Sequence, residues 1–82
     1  MHELGLTRRM LEVVLQRAAE DRGRRITDIQ VEIGSESDVA PMALEAYWPE
    51  VSRGTPAEGA RLAFSEADDP WAFRVASIDV EH

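Results

Sequence analysis

The sequence contains no cysteine and no lysine, and its two histidines stand at positions 2 and 82. The absence of cysteine excludes a disulfide scaffold, a cysteine zinc site, an iron–sulfur cluster and a cysteine nucleophile. Apolar stretches are only a few residues long, whereas a membrane-spanning helix needs about 20, and the N-terminus lacks the basic-then-apolar layout of a secretory signal. A chain of 82 residues is also too short for two ordinary domains. We therefore expect a single domain over residues 1–82, in a soluble cytoplasmic protein that does not associate with membranes.

The formal charge is −7, and it is unevenly distributed along the chain. Residues 1–25 carry six arginines against four acids, whereas residues 26–82 carry three arginines against twelve acids. Nucleic-acid binding normally requires clustered positive charge, so we expect no nucleic-acid partner. An acidic surface suits cations or a basic partner, but it is also typical of ordinary soluble domains. The charge alone does not choose between these interpretations.

Residues that could form a catalytic site are scarce. No HExxH, GxSxG, Walker or GxGxxG pattern occurs in the sequence. A Ser-His-Asp arrangement would have to use His2 or His82, and a histidine at a chain end lacks the packed surroundings that hold a general base. Asp68 and Asp69 are adjacent, so their side chains point apart on a turn. We predict that the protein is not an enzyme.

The spacing of apolar residues predicts a helix followed by a strand. Residues 4–22 show apolar positions at i, i+3, i+4 and i+7, which indicates an amphipathic helix that ends before Gly23. Over residues 25–34 the apolar positions alternate with polar ones, which predicts a half-buried strand. The apolar stripe of the helix consists of Leu11, Val14, Leu15 and Ala18.

Helical spacing returns over residues 41–52. Asp38 is a plausible cap for this second helix, and a proline suits its first turn. Pro49 removes one backbone donor, so we expect it to kink or end the helix near Trp48. Tyr47 and Trp48 lie on the apolar stripe and are predicted to belong to the core.

Two further strands are predicted, at residues 60–66 and 71–81, with a turn at 67–70. Trp71 is expected to begin the inward-facing set of the last strand. That set changes phase at Val75–Ala76, which indicates a β-bulge. The predicted fold class is α+β: an α-β-α-β-β two-layer sandwich with a three-stranded sheet and two helices on one face.

The first three residues have the donors of a metal chelate. The amine of Met1, the amide nitrogen of His2 and the His2 imidazole can close fused chelate rings around one ion, and Glu3 offers a further amide or carboxylate. A free α-amino group has a pKa near 7.7, so a useful fraction is deprotonated. Nitrogen-rich tetragonal geometry favours Ni(II) or Cu(II). An ordinary start codon followed by a chance histidine would give the same three residues.

The segment Met-His-Glu-Leu-Gly-Leu at the start of the chain resembles that of the HypA/HybF family of hydrogenase-maturation nickel metallochaperones. Further segments resemble the family's first strand, its second helix, the turn into its second strand and its last strand, in the expected order. These segments are residues 27–34, 39–44, 53–60 and 74–81.

The resemblance implies a function in nickel delivery. Members of the family bring Ni(II) to the [NiFe]-hydrogenase large subunit, usually together with a nickel-handling GTPase. Their nickel site carries over to Met1, His2 and Glu3, so we expect Ni(II) to be bound transiently at these residues.

One departure from the family is large. Its members normally carry a zinc domain, held by two CxxC pairs, between the second and last strands. Here that interval is only residues 67–72, without cysteine. We therefore expect a short hairpin turn near 67–72 in place of the zinc domain, and no bound zinc. The alternative function is a metal-independent interaction module of the same fold, which would bind the GTPase, the hydrogenase subunit or another copy of itself.

Overall fold

The elements follow the predicted order of helix, strand, helix, strand and strand. The computed structural model describes residues 3–22 and 24–82. Neither helix in these ranges is long and apolar enough to cross a membrane. The elements are α1 (Glu3–Glu20), β1 (Arg25–Ile33), α2 (Pro41–Val51), β2 (Arg61–Glu66) and β3 (Phe73–Glu81).

The three strands form one mixed sheet in the order β2-β1-β3. The central strand, β1, is parallel to β2 and antiparallel to β3. Because parallel neighbours need a crossover connection, α2 lies between β1 and β2 in the chain. The predicted α+β class, with two helices and a three-stranded sheet, is confirmed.

Helix α1 provides one wall of the core. Val14 has no exposed surface, and Met10 and Ala18, one turn to either side, are 3% and 4% exposed. Leu11 and Leu15 are only partly buried and pack at the margin of this stripe. The buried face of α1 is therefore centred on positions i, i+4 and i+8, which face the sheet. The remaining core residues are Ile26, Ile29, Val31, Trp48, Ala57, Ala60 and Val75.

Two bulges keep the apolar side chains on the core side of the sheet. Gln30 pairs with Ser77 and Val31 with Val75, so Ala76 is the additional residue on β3, and the predicted bulge is confirmed. A second irregularity makes Thr27 the additional residue on β1. In a regular strand, side chains three residues apart, such as those at positions 26 and 29, face opposite sides of the sheet. The bulge therefore explains how the flanking isoleucines, Ile26 and Ile29, are both buried.

Helix α2 differs from the prediction at both ends. Its N-cap is Ala40, which makes no side-chain capping hydrogen bond, so the prediction that Asp38 caps the helix is wrong. Pro41 occupies the first helical turn, where its missing N–H costs nothing. The helix continues beyond Pro49 and does not end near Trp48. Pro49 removes one intrahelical hydrogen bond. Because it lies in the last turn of the helix, few residues depend on the lost bond.

Two aromatic side chains are more exposed than predicted. Trp71 lies in the turn before β3 and is 71% exposed, so the prediction that it begins the inward-facing set is wrong. The strand begins at Phe73, which packs against the core from its margin. Tyr47 is 38% exposed and lies outside the buried core, whereas Trp48 is buried as predicted.

The connection over residues 67–72 is not a hairpin. Strands β2 and β3 both pair with β1, so this segment passes from one edge of the sheet to the other across the end of β1. Backbone hydrogen bonds hold it there: Ala67 N–H donates to the Ile33 carbonyl at 3.1 Å, and Gly34 N–H donates to the Ala72 carbonyl at 2.8 Å. The predicted hairpin is wrong because the sequence pattern does not reveal strand order.

Gly34 allows the close approach of this connection. A Cβ atom at position 34 would lie 2.3 Å from the Asp69 carbonyl oxygen and from backbone atoms of Pro70. These neighbours are main-chain atoms, so they cannot move aside without displacing the whole connection.

We predict that Gly34→Ala lowers the free energy of unfolding by about 1–3 kcal/mol, the usual range for an overpacked site. Gly5→Ala is the matched control, because an added Cβ at Gly5 meets nothing within 4 Å among the described residues. In α1 it should stabilise the protein by about 0.5–1 kcal/mol. Urea denaturation measures both, and equal stability of Gly34→Ala and wild type would contradict the observed docking of the connection.

Candidate metal centre

Of the three predicted nickel ligands, the structure describes Glu3. Glu3 is the first residue of the helix and is partly buried. Met1 and His2 lie outside the described residues, so their part in the site stays a prediction. The structure therefore describes one of the three predicted ligands, Glu3, and the helix that this residue begins.

Glu3 is tied to the protein interior through its main chain. The Thr7 hydroxyl donates a hydrogen bond to the Glu3 carbonyl oxygen one turn earlier. Thr7 has no exposed surface. Both residues belong to α1, so this hydrogen bond is local to the helix, and it is the buried Thr7 side chain that anchors the first turn to the core.

The electrostatics of a helix start set conditions on a cation there. The N-terminus of a helix carries partial positive charge, which stabilises the carboxylate of Glu3 in the first turn. The same field disfavours a divalent cation unless anionic donors accompany it. The Glu3 carboxylate and an ionised amide would supply such donors, so the metal would be held by its ligands against the local field.

No additional cluster of metal ligands supports Glu3. Within residues 3–22 and 24–82, no group of three or more His, Cys, Asp or Glu side chains could hold a metal ion.

His82 belongs to the opposite end of α1. Its Nε2 lies 3.1 Å from the Asp21 carbonyl oxygen and 3.7 Å from Asp21 Oδ2. Asp21 directly follows α1, which has 18 residues. At 1.5 Å per residue, the helix separates His82 from Glu3 by about 25 Å. The second histidine of the chain therefore cannot join the predicted site within one molecule.

Two acids on the uncovered face of the sheet, Asp28 and Glu32, are paired with arginines. Arg61 Nε lies 2.8 Å from Asp28 Oδ1, and Arg74 Nη2 lies 2.6 Å from Glu32 Oε1. The hydrogen bond from Arg61 holds the pKa of Asp28 below its ordinary value of 3.8, with a smaller contribution from Thr27. In return, Asp28 raises the pKa of Arg61. Sequence analysis missed these pairs because they depend on the strand register.

We predict that Arg61→Gln raises the pKa of Asp28 toward its ordinary value. A lowered pKa contributes stability that is present above pH 3.8 and is lost as the pH falls through the lowered pKa. In the variant, the free energy of unfolding should therefore fall less steeply as the pH is lowered through this range. NMR titration of the Asp28 carboxyl group measures the shift. Arg74→Gln, which removes the other pair, should leave this titration unchanged, and the same shift in both variants would contradict the assignment.

Comparison with known proteins supports a single family. A family model described as "Hydrogenase/urease nickel incorporation, metallochaperone, hypA" matches residues 1–71. The hydrogenase maturation factor HypA of Klebsiella pneumoniae is 39% identical over 66 residues, which are 80% of this chain and 58% of the relative. The HypA of Geobacter sulfurreducens is 44% identical over 63 residues, which are 77% and 54% of the two chains. This chain thus spans a little over half the length of these curated relatives.

A solved structure shows the same fold. The solution structure of the Ni metallochaperone HypA from Helicobacter pylori matches with a TM-score of 0.83. The match covers 98% of this chain and 97% of that chain at 10% sequence identity. At this identity, the likeness supports the arrangement of helices and strands and says nothing about ligands.

Proposed function

This chain belongs to the HypA family, and we propose that it holds Ni(II) and delivers it during the maturation of a [NiFe]-hydrogenase or a related nickel enzyme. The observation that carries the proposal is the family match, which begins at residue 1 and includes the Met-His-Glu start. The relatives from Klebsiella and Geobacter are named hydrogenase maturation factors, and the Helicobacter protein is named a Ni metallochaperone.

The proposed ligands are Met1, His2 and Glu3. The amine of Met1, together with the amide and imidazole nitrogens of His2, forms the nitrogen-rich set that suits Ni(II). Glu3 completes or supports this set from the first turn of α1. Nickel is the cargo of this site, so the bound ion must also be able to leave.

The proposal assigns the chain no catalytic step and two protein partners. A nickel-handling GTPase would act with it, and a hydrogenase large subunit would receive the ion. We propose further that the connection over residues 67–72 replaces the zinc domain of longer family members. Its backbone hydrogen bonds to Ile33 and Gly34 support this, because they join β2 to β3 through a short ordered segment.

The first test is a calorimetric and absorbance titration with Ni(II), using protein without a tag. We predict one-to-one binding with a square-planar absorption band, and loss of both in His2→Ala. His82→Ala is the matched control, since His82 lies near the other end of α1 and should not affect binding. Equal affinity of His2→Ala and wild type would contradict the proposed ligand set.

A second test blocks the terminal amine without changing any side chain. We predict that adding glycine and serine before Met1 abolishes stoichiometric Ni(II) binding, because the amine then becomes an amide nitrogen. Circular dichroism should show an unchanged fold, since α1 begins only at Glu3. Retained binding in the extended protein would exclude the amine as a ligand. Absence of binding in a wild-type protein with intact Met1 would favour the metal-independent interaction module.

A further inference from the structure

A groove runs between α2 and the outer strand β2, and we call it the α2–β2 groove. Its main section has a volume of about 600 Å³. A second section of about 280 Å³ lies farther along β2, toward the start of α2. Together these sections follow the length of β2 on the helix side of the sheet. Helix α2 lines the groove with Glu45, Trp48 and Pro49, and Glu58 lines it just before β2. Strand β2 contributes Leu62, Phe64 and Glu66.

The groove exists because the two helices do not cover the sheet evenly. Helix α1 packs against β3 and β1, and α2 packs chiefly against α1. Strand β2 is therefore the least covered strand. Its apolar side chains Leu62 and Phe64 remain partly exposed, in contrast to Ile29 and Val31 of β1, which have no exposed surface. The floor of the groove is thus apolar surface that neither helix covers fully.

The same strand is an edge of the sheet. Within the described part of the chain, β2 pairs with β1 on one side and with no strand on the other. An edge strand presents unpaired N–H and C=O groups that can accept an added strand. Side chains of such a strand alternate, so every second one would point to the helix side and reach the groove.

The rim of the groove is acidic. Glu45 lies on the α2 side, Glu58 precedes β2, and Glu66 ends it; all three are exposed. Arg61 also lines the groove, but its guanidinium group is paired with Asp28 at 2.8 Å. Arg25 lies at one end of the groove and donates to the Glu58 carbonyl oxygen at 3.2 Å. The three rim carboxylates outnumber it, so they favour an occupant that carries arginine or lysine. The groove between α1 and β3 has no carboxylate in its lining; it contains Arg9 and also Arg74, which is paired with Glu32 at 2.6 Å.

The wall of the groove also contains an unsatisfied donor. Trp48 is 3% exposed, and its indole Nε1 has no hydrogen-bond acceptor among residues 3–22 and 24–82. A buried indole N–H usually has a partner, and leaving a buried donor unpaired costs about 1–3 kcal/mol. This nitrogen is buried and out of reach of an added strand, so Trp48 serves here as a reporter of binding at the groove wall.

We propose that the α2–β2 groove binds an extended segment of a partner protein, which adds to the free edge of β2 as a fourth strand. Alternate apolar side chains of this segment fill the space above Leu62 and Phe64. At either end of the segment, a groove-facing position on the same side of the strand carries arginine or lysine, which pairs with the carboxylates of the rim. The interaction requires no metal, so it is independent of the nickel site proposed above.

The probe is a short synthetic peptide whose groove-facing positions are arginine, valine, valine and arginine, with threonine at the intervening positions and both ends blocked. It is titrated at low ionic strength and without nickel. Two-dimensional NMR follows the two indole N–H signals of the chain, from Trp48 and Trp71. The signal of Trp48 and the amide signals of β2 should shift, whereas that of the exposed Trp71 should not. An otherwise identical peptide with glutamate in place of arginine should leave Trp48 and β2 unchanged.

The matched variants are Glu45→Lys and Glu12→Lys. Both replace an exposed helical glutamate and change the net charge equally, but only Glu45 lines the groove. Reversing a rim charge should weaken binding about three- to tenfold. Glu12→Lys should bind as wild type does.

Three results would overturn the proposal. If Glu45→Lys and Glu12→Lys weaken peptide binding equally, the peptide is attracted only by the net charge of the protein. Shifts confined to α1 and β3 would place the peptide at the other edge of the sheet. If the amide signals of β2 shift as the protein concentration is raised in the absence of peptide, this edge binds a second copy of the chain. Because no nickel is present, each of these results leaves the nickel proposal to its own titration.

Discussion

Both hydrogen-bonded ladders of the sheet depend on one strand, β1. Its residues 28–33 pair with β2 on one side and β3 on the other, while Ile29 and Val31 form the floor of the core with no exposed surface. Helix α1 packs on this strand and on β3, and α2 packs on α1. In a domain of 82 residues there is little further surface to bury. Every other element is therefore held, directly or through one neighbour, by the central strand.

The central position of β1 also explains why the chain needs no domain between its last two strands. Strands on either side of a central one lie only about 10 Å apart, since neighbours are separated by about 4.8 Å. A few extended residues cover that distance. Residues 67–72 do so while bonded to Ile33 and Gly34, and Gly34 leaves room for the connection because it lacks a Cβ. A zinc domain inserted at this place in longer relatives would be an addition to the fold, which the fold does not require.

Local patterns predicted the elements of this fold, and long-range geometry accounts for the failures. Helical and alternating spacing is a property of neighbouring residues, so it identified both helices, all three strands and even the bulge at Ala76. Strand order is not a local property, and for that reason the connection was predicted as a hairpin and Trp71 as a strand residue. The pair of Asp28 and Arg61 depends on register in the same way. At the candidate site, α1 begins at Glu3, one residue before the start that the pattern predicts.

The arrangement separates metal binding from folding. In a structural zinc domain, ligands from distant parts of the chain meet only in the folded state, so metal binding and folding share one free energy. The ligands proposed here are consecutive, and they precede or begin α1. Such a chelate gains little from the fold, and the fold gains little from it, because binding that does not distinguish folded from unfolded chain contributes no stability. Release of an ion from the proposed ligands would therefore leave the sheet, the core and the α2–β2 groove unchanged.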